Sequence, residues 1–351
     1  MSRSNRVTLA TISRELNIST SSVSRALRND PLIHPETRAK VSTIAARLGY
    51  QGRSRRGPQN TVGRRNISVL FAGNSLTDIK NSVITMSYLQ GMTSEIEATN
   101  TLLNVHVVPM EGTVKKSGKN GVSTATHGEG DAVIIIGRHD SYFVTKLSQG
   151  FPVVSLVRAY EGVKHDLVST DDVSGVSQLV KKLADLGHRK LAWASFEDRS
   201  SYSHSRRAGF LEGCVSSGLD LSKQELIHSM FVDWTLKHPE YILQALKNGV
   251  TAFVAASDHA AYEISRILTE NKISIPGDVS LTGFDAIGEP GFQSLSFTTY
   301  DPNFVEMGRV AIRLALSRLE NLSAASLNVT VRGRLVEGST TGPVSGRRTK
   351  A

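Results

Sequence analysis

The residues whose types and spacing best suit chemistry stand close together near the N-terminus: Thr20, Ser21, Ser24 and Arg25, with Arg28 just beyond. Hydroxyls and a guanidinium at this spacing share one helical face. Such a face donates hydrogen bonds to base edges and phosphates, whereas an ordinary solvated helix carries a Glu/Lys mixture. An ordinary amphipathic pair of helices is the competing reading of the same residues. What must position them is short-range. Ile12 and Leu16 stand four apart, and after Asn17-Ile18 a second apolar set follows, Val23, Ala26 and Leu27, which predicts two short helices joined by a tight turn. Thr8 and Ser19 are placed to cap them. A third helix is expected from Pro35, with Val41, Ile44, Ala45 and Leu48 as its apolar stripe and Gly49 as its end. Its role would be to close a small core beneath the reading helix.

Charge separates this segment from the rest. Residues 1–66 hold 13 Lys/Arg against Glu15, Asp30 and Glu36, while the remainder holds 28 against 29, so the net charge of +9 sits on the first fifth of the 351 residues. A basic module joined to a near-neutral one suits a polyanion-binding head on a ligand-binding body. Residues 51–66, QGRSRRGPQNTVGRRN, are almost devoid of apolar side chains and read as a linker. Gly57-Pro58 opposes a continuous helix there. The linker either folds in another way or stays an extended arm whose Arg53, Arg55 and Arg56 contact phosphates or a narrow minor groove. A single cysteine, Cys214, excludes an intramolecular disulfide, no apolar run is long enough to span a membrane, and the basic N-terminus has no secretory signal. A cytoplasmic protein is expected.

From Ile67 onward, short apolar runs alternate with amphipathic segments. Residues 67–72, 132–136, 153–157, 191–194, 252–256 and 279–284 read as buried parallel strands, and 173–186 and 262–270 as helices between them. This is an α/β body with doubly wound sheets, in which ligands bind at the carboxyl ends of the strands.

Residues 7–50, VTLATISRELNISTSSVSRALRNDPLIHPETRAKVSTIAARLGY, resemble without a gap the headpiece of the lactose/galactose repressor family of bacterial regulators, with VSRAL, ETRAKV and the closing LGY in register. Further landmarks match in the body: DLVSTDDVSGVSQLVKKLADLGHRKLA at 166–192, SRRAGF at 205–210, the stretch 251–288 and FTTYDPNFVEMGRVAIRLAL at 297–316. The resemblance implies an all-α helix-turn-helix headpiece (1–52), a basic hinge (53–66), a two-lobed α/β body like periplasmic binding proteins (67–340) and a disordered tail (341–351). It also implies a homodimer that binds double-stranded, pseudo-palindromic operator DNA as a regulator, with repression the favoured sense. A small-molecule effector, a sugar or related metabolite, would lie between the lobes, with no cofactor and no metal. In the family a leucine of the hinge wedges into the minor groove; by length it falls here on Gln59.

Five effector-site candidates follow from the same resemblance. Asp285, in GFD, stands where relatives accept hydrogen bonds from ligand hydroxyls, against a turn-stabilising aspartate. Arg206 matches a cleft arginine, against Arg207 or a surface role for both. Trp234 would stack on a sugar, against a core tryptophan. Ser257 stands where relatives often have Asn, and Asp258 beside it is expected to cap the following helix. Arg158 follows a strand where relatives often show Asp-Arg, but here the pair is Val157-Arg158. Enzyme readings fare poorly: GxSxG, Walker and HExxH patterns are missing, and the ten histidines lack ligand spacing. The remaining alternatives are a sugar sensor acting through protein contacts, which needs no headpiece, and a nucleoid-type protein, which needs no two-lobed body.

Overall fold

The computed structural model describes residues 8–27, 33–48, 64–73, 75, 77, 80, 82–108, 130–195, 201–228, 231–232, 235–236, 238–288 and 295–344. The chain divides into two compact units, Met1–Gly63 and Arg64–Ala351.

The first unit is three helices, α1 (Leu9–Leu16), α2 (Thr20–Leu27) and α3 (Pro35–Arg47). The turn between α1 and α2 is fixed locally. Asn17 adopts a left-handed φ of 50°, Ser13 Oγ donates to the Ile18 carbonyl at 2.6 Å, and Ser19 Oγ accepts the Ser22 N–H at 3.0 Å. Asn tolerates that conformation better than other side chains, which is why α1 stops there. Ile12, Val23, Ala26, Val41 and Ala45 form the buried centre, with Leu16, Leu27, Ile44 and Leu48 packed around it.

The second unit holds two parallel sheets. In the first lobe, β1 (Arg65–Ala72), β2 (Thr101–Val108), β3 (Ala132–Ile136), β4 (Val153–Leu156), β5 (Asp166–Thr170) and β13 (Asn328–Val331) lie in the order β13-β5-β4-β3-β1-β2. In the second lobe, β6 (Leu191–Ser195), β7 (Glu225–His228), β10 (Ala252–Ala255) and β11 (Ser280–Thr282) lie in the order β11-β10-β6-β7. Short pairs β8 (Phe231–Val232) with β9 (Thr235–Leu236), and β12 (Thr299–Asp301) with β14 (Arg334–Val336), are antiparallel. The six expected strands all occur, shifted by a few residues. β1 begins at Arg65, inside the span expected as hinge, because Arg65 and Asn66 pair with Thr101 and Leu102; residues 53–63 lie outside the described residues.

Helices α4 (Val83–Ile96), α5 (Ser141–Ser148) and α10 (Phe304–Glu320) flank the first sheet; α6 (Asp172–Asp185), α7 (Ser201–Ser216), α8 (Pro239–Lys247) and α9 (Asp258–Glu270) flank the second. α4 and α10 approach so closely that a Cβ on Gly91 would stand 1.8 Å from the Val305 carbonyl oxygen, which only glycine avoids. The chain crosses between lobes three times, after β5, after β12 and after β13, so the carboxyl ends of both sheets border one crevice.

The expected disordered tail from 341 is corrected at its start. Gly342 N donates to Ser280 Oγ at 3.1 Å and its carbonyl lies 3.1 Å from His188 Nε2. Val344 N donates to the Leu186 carbonyl at 3.0 Å. These bonds hold the segment as far as Val344 against the second lobe; residues 345–351 lie outside the described residues.

Candidate functional site

Two regions collect the expected site residues. On α2, Thr20 and Ser21 are exposed, and Ser24 and Arg25 are half-buried. Ser21 Oγ lies 2.7 Å from Ser19 Oγ, so its hydroxyl also belongs to the cap. Val23 and Ala26, fully buried on the opposite side, fix the rotation of the helix and so turn this face outward. Arg28, Arg53, Arg55 and Arg56 lie outside the described residues.

In the body, four elements converge on one guanidinium. Arg206, on α7, donates from Nε to Asp172 Oδ1 at 2.9 Å, from Nη1 to the Ala256 carbonyl at 2.7 Å and from Nη2 to Asp285 Oδ1 at 2.9 Å. Its planar fork lies 3.9 Å from the centroid of the Phe284 ring. Arg207 is exposed, so of the two candidates it is Arg206 that occupies the cluster. Asp285 does not stabilise its own turn. Its backbone takes a φ of 110°, rare for a side-chain-bearing residue, and this turns the carboxylate toward Arg206.

Burial pushes the Asp172 and Asp285 carboxyls up, and the Arg206 guanidinium opposes it. Burial works against the charge of Arg206, but the two carboxylates outweigh it and hold the guanidinium protonated. Asp258 is pushed up to about 7 by burial and by the charge of Asp285. Its oxygens accept from Thr299 Oγ1 at 2.7 Å and Ile287 N at 2.9 Å. The expected cap is therefore corrected by one residue. Ser257 Oγ caps α9, accepting the Ala260 N–H at 3.2 Å, while Asp258 is turned inward as a buried strut.

Arg158 comes to the cluster from the first lobe: its guanidinium carbon lies 5.7 Å from the Tyr202 ring, and that of Arg206 lies 5.5 Å from the same ring. Ala159 N donates to Ser201 Oγ at 3.3 Å, a second link across the crevice. Val157, before Arg158, has a left-handed φ of 68°, strained for a β-branched residue. Trp234 lies outside the described residues. Sequence reasoning missed Asp172, Tyr202 and Tyr88. Tyr88 is buried on α4; burial pushes its phenol up, and the charge of Asp285 pushes it further in the same direction. The only sequence signal for these was position: Asp172 stands two residues after the end of β5, where crevice residues gather.

The geometry now has external parallels. A profile of bacterial regulatory proteins of the lacI family matches residues 8–52, and a periplasmic binding protein-like domain matches residues 180–341. The chain belongs to the lacI family of bacterial regulatory proteins. It is a DNA-binding transcriptional regulator. The regulator is 27% identical over 358 residues to HTH-type transcriptional regulator MalR of Streptomyces coelicolor, covering 97% of this chain and 98% of that one. Its fold is similar to that of a LacI family regulator from Enterococcus faecium with bound ribose, with a TM-score of 0.65, 21% identity and coverage of 80% and 100%. It is likewise similar to the lac repressor dimer bound to operator and an anti-inducer, with a TM-score of 0.62, 20% identity and coverage of 96% and 100%.

Proposed function

We propose that this regulator is a homodimeric, cytoplasmic repressor without catalytic activity, whose hold on a pseudo-palindromic operator is set by a sugar or related metabolite in the interlobe crevice. The observation that carries the reading is the buried Arg206 held between Asp172 and Asp285 at the strand ends. It presents a rigid, pre-oriented set of donors and acceptors where open α/β sheets take ligands. The bound ribose and the operator-bound dimer of the two structural relatives support it.

In this reading α2 enters the major groove. Thr20, Ser21, Ser24, Arg25 and Arg28 read or position the DNA there, and Arg53, Arg55 and Arg56 of the hinge add phosphate or minor-groove contacts. Arg158, Arg206, Trp234, Ser257 and Asp285 form the effector site. Headpiece 1–52, a hinge from 53 and an effector body whose first strand starts at Arg65 are the working divisions. Effector binding changes how the two headpieces are held, and operator binding must alter effector affinity by the same factor.

The test is binding of the full chain to promoter-region and random DNA at one salt concentration, with and without a panel of sugars and sugar derivatives. Strong preference for one promoter fragment, weakened by one compound, is expected. Equal affinity for random DNA would overturn the specific regulator in favour of a nucleoid-type protein.

A further inference from the structure

Three carboxyls are buried around one guanidinium in the second lobe, and Asp258 is the one that the cation does not bind. Asp172 and Asp285 share Arg206. Asp258 is 2% exposed and forms no ion pair among the described residues. Both of its bonds come from neutral donors, Thr299 Oγ1 at 2.7 Å to Oδ1 and Ile287 N at 2.9 Å to Oδ2. A Cβ on Gly283 would stand 2.0 Å from Oδ1, so the carboxyl packs against bare backbone. The charged groups bearing on it are Asp285, on the turn after β11, and Arg206, on α7. Asp172, at the start of α6, holds Arg206 from another side; His259, next to Asp258 on α9, acts on Asp285. A buried carboxyl without its own counter-charge favours the neutral form. Burial and the Asp285 charge accordingly push Asp258 up to about 7.

Its two partners tie the crevice to the crossover between lobes. Ile287 closes the turn that carries Asp285, and Thr299 opens β12, after which the chain passes to the first lobe. Backbone bonds run along the same seam. Gly283 N donates to the Thr298 carbonyl at 2.9 Å, Asp285 N to the Tyr300 carbonyl at 2.9 Å and Asp258 N to the Phe284 carbonyl at 2.7 Å. Proton uptake at Asp258 then has one course open to it. The ionised carboxyl accepts from both partners. The neutral carboxyl has a hydrogen to give, and of the two partners only the Thr299 hydroxyl can accept it, because an amide N–H cannot. The proton therefore sits on Oδ1, the Asp258–Thr299 bond reverses, and the Thr299 hydroxyl hydrogen turns to another acceptor. One negative charge is lost beside Asp285.

We propose that Asp258 is a proton switch at the interlobe crossover: gain or loss of one proton reverses its bond to Thr299, changes the field at Asp285 and so alters the body's hold on the operator with pH. The proposal rests on the reading of this chain as an operator-binding regulator whose crevice sets DNA affinity. A local change of charge and hydrogen bonding acts on the whole molecule where it biases an element shared by two arrangements, and β12 joins the two lobes.

The experiment uses the full chain at constant salt, at about pH 5.5 and about pH 8.5, on either side of the switching range. Infrared difference spectra between the two report carboxyls that ionise. Affinity for the DNA fragment that the chain itself selects from a random pool, without added small molecule, reports the operator. Asparagine keeps an acceptor oxygen and adds a donor, so Asp258→Asn imitates the neutral acid at both values. Its spectra are expected to lack one ionising carboxyl. Its DNA affinity should match the parent within about twofold at the lower pH and differ by at least about threefold at the higher. Thr299→Val, which removes the bond that reverses, should keep the ionising carboxyl and show the pH response of Asp258→Asn. His259→Gln should behave as the parent. Thermal unfolding reports which variants are folded.

An unchanged spectrum in folded Asp258→Asn, the same pH response in parent and Asp258→Asn, a folded Thr299→Val that keeps the parent's response, or a folded His259→Gln that loses it would each overturn the proposal. Should Asp258→Asn fail to fold, Thr299→Val decides alone. An ionising Asp258 beside an operator affinity that ignores it would overturn the switch and spare the regulator reading. A chain that selects no fragment at either pH would overturn that reading, and the switch with it.

Discussion

In the headpiece Arg47 lies 2.5 Å from Glu15, with side chains 59% and 45% exposed; in the body Arg206 lies 2.9 Å from both Asp172 and Asp285, with all three 7% exposed or less. The chemical groups are the same and the physics is opposite. Water and salt screen the first pair, so it adds little to stability. The second trio has given up its hydration, so each partner depends on the others, and removing one strands a charge in a poorly solvated place. The headpiece is thus held mainly by its apolar centre. The body's crevice is held by polar groups that hold one another.

Arg206→Met should break that contrast most severely. It leaves Asp172 and Asp285 without their cation and should cost the body about 3–5 kcal/mol, read as a lower denaturant midpoint. An effect under about 1 kcal/mol, the range of an exposed pair, would show that solvent reaches the cluster and that the distinction from Arg47 is false.

Asp258 sharpens the comparison through pH. Its carboxyl rises from 3.8 to about 7 on folding, so between these values the folded chain holds a proton that the unfolded chain has released. Stability from this group is therefore greatest below pH about 4, falls as pH rises to about 7 and is flat above. The slope is roughly 1.4 kcal/mol per pH unit and the total roughly 4 kcal/mol. Denaturant midpoints for the body should follow this descent, and Asp258→Asn should flatten it.

On the headpiece side, Ile12→Ala removes a fully buried side chain from a centre of five buried residues and should cost about 2–5 kcal/mol. Operator binding should be lost while the body's unfolding transition stays where it was; a shifted body transition would mean the two units do not unfold independently. Arg25→Ala should leave both transitions in place and weaken specific operator binding by about 1–3 kcal/mol at constant salt. Unchanged affinity would remove Arg25 from the reading face. The smallest effect belongs to Arg47→Gln, at most about 1 kcal/mol on headpiece stability and less at high salt.

The headpiece was legible because its causes are local. Ile12, Leu16, Val23 and Ala26 repeat at helical spacing, and Thr8, Asn17 and Ser19 mark the ends, all within about twenty residues. The six apolar strands were legible for the same reason, since a strand buried on both faces must be continuously apolar. β2, Thr101–Val108, escaped because Asn104 and His106 interrupt its run at an edge of the sheet, where one side is less buried.

Residue chemistry by itself determined that a basic, hydroxyl-bearing helical head precedes an α/β body, and the family resemblance of the SRRAGF and GFD stretches pointed to Arg206 and Asp285. Only the tertiary structure decided that Asp172 completes their cluster, that Ser257 rather than Asp258 caps α9, and that Tyr202 stands between arginines of opposite lobes. Asp172 and Asp285 lie 34 and 79 positions from Arg206, and no periodicity spans such separations. Their pairing follows from parallel strands delivering their carboxyl ends to one edge, and from burial forcing each polar group that arrives there to find a partner.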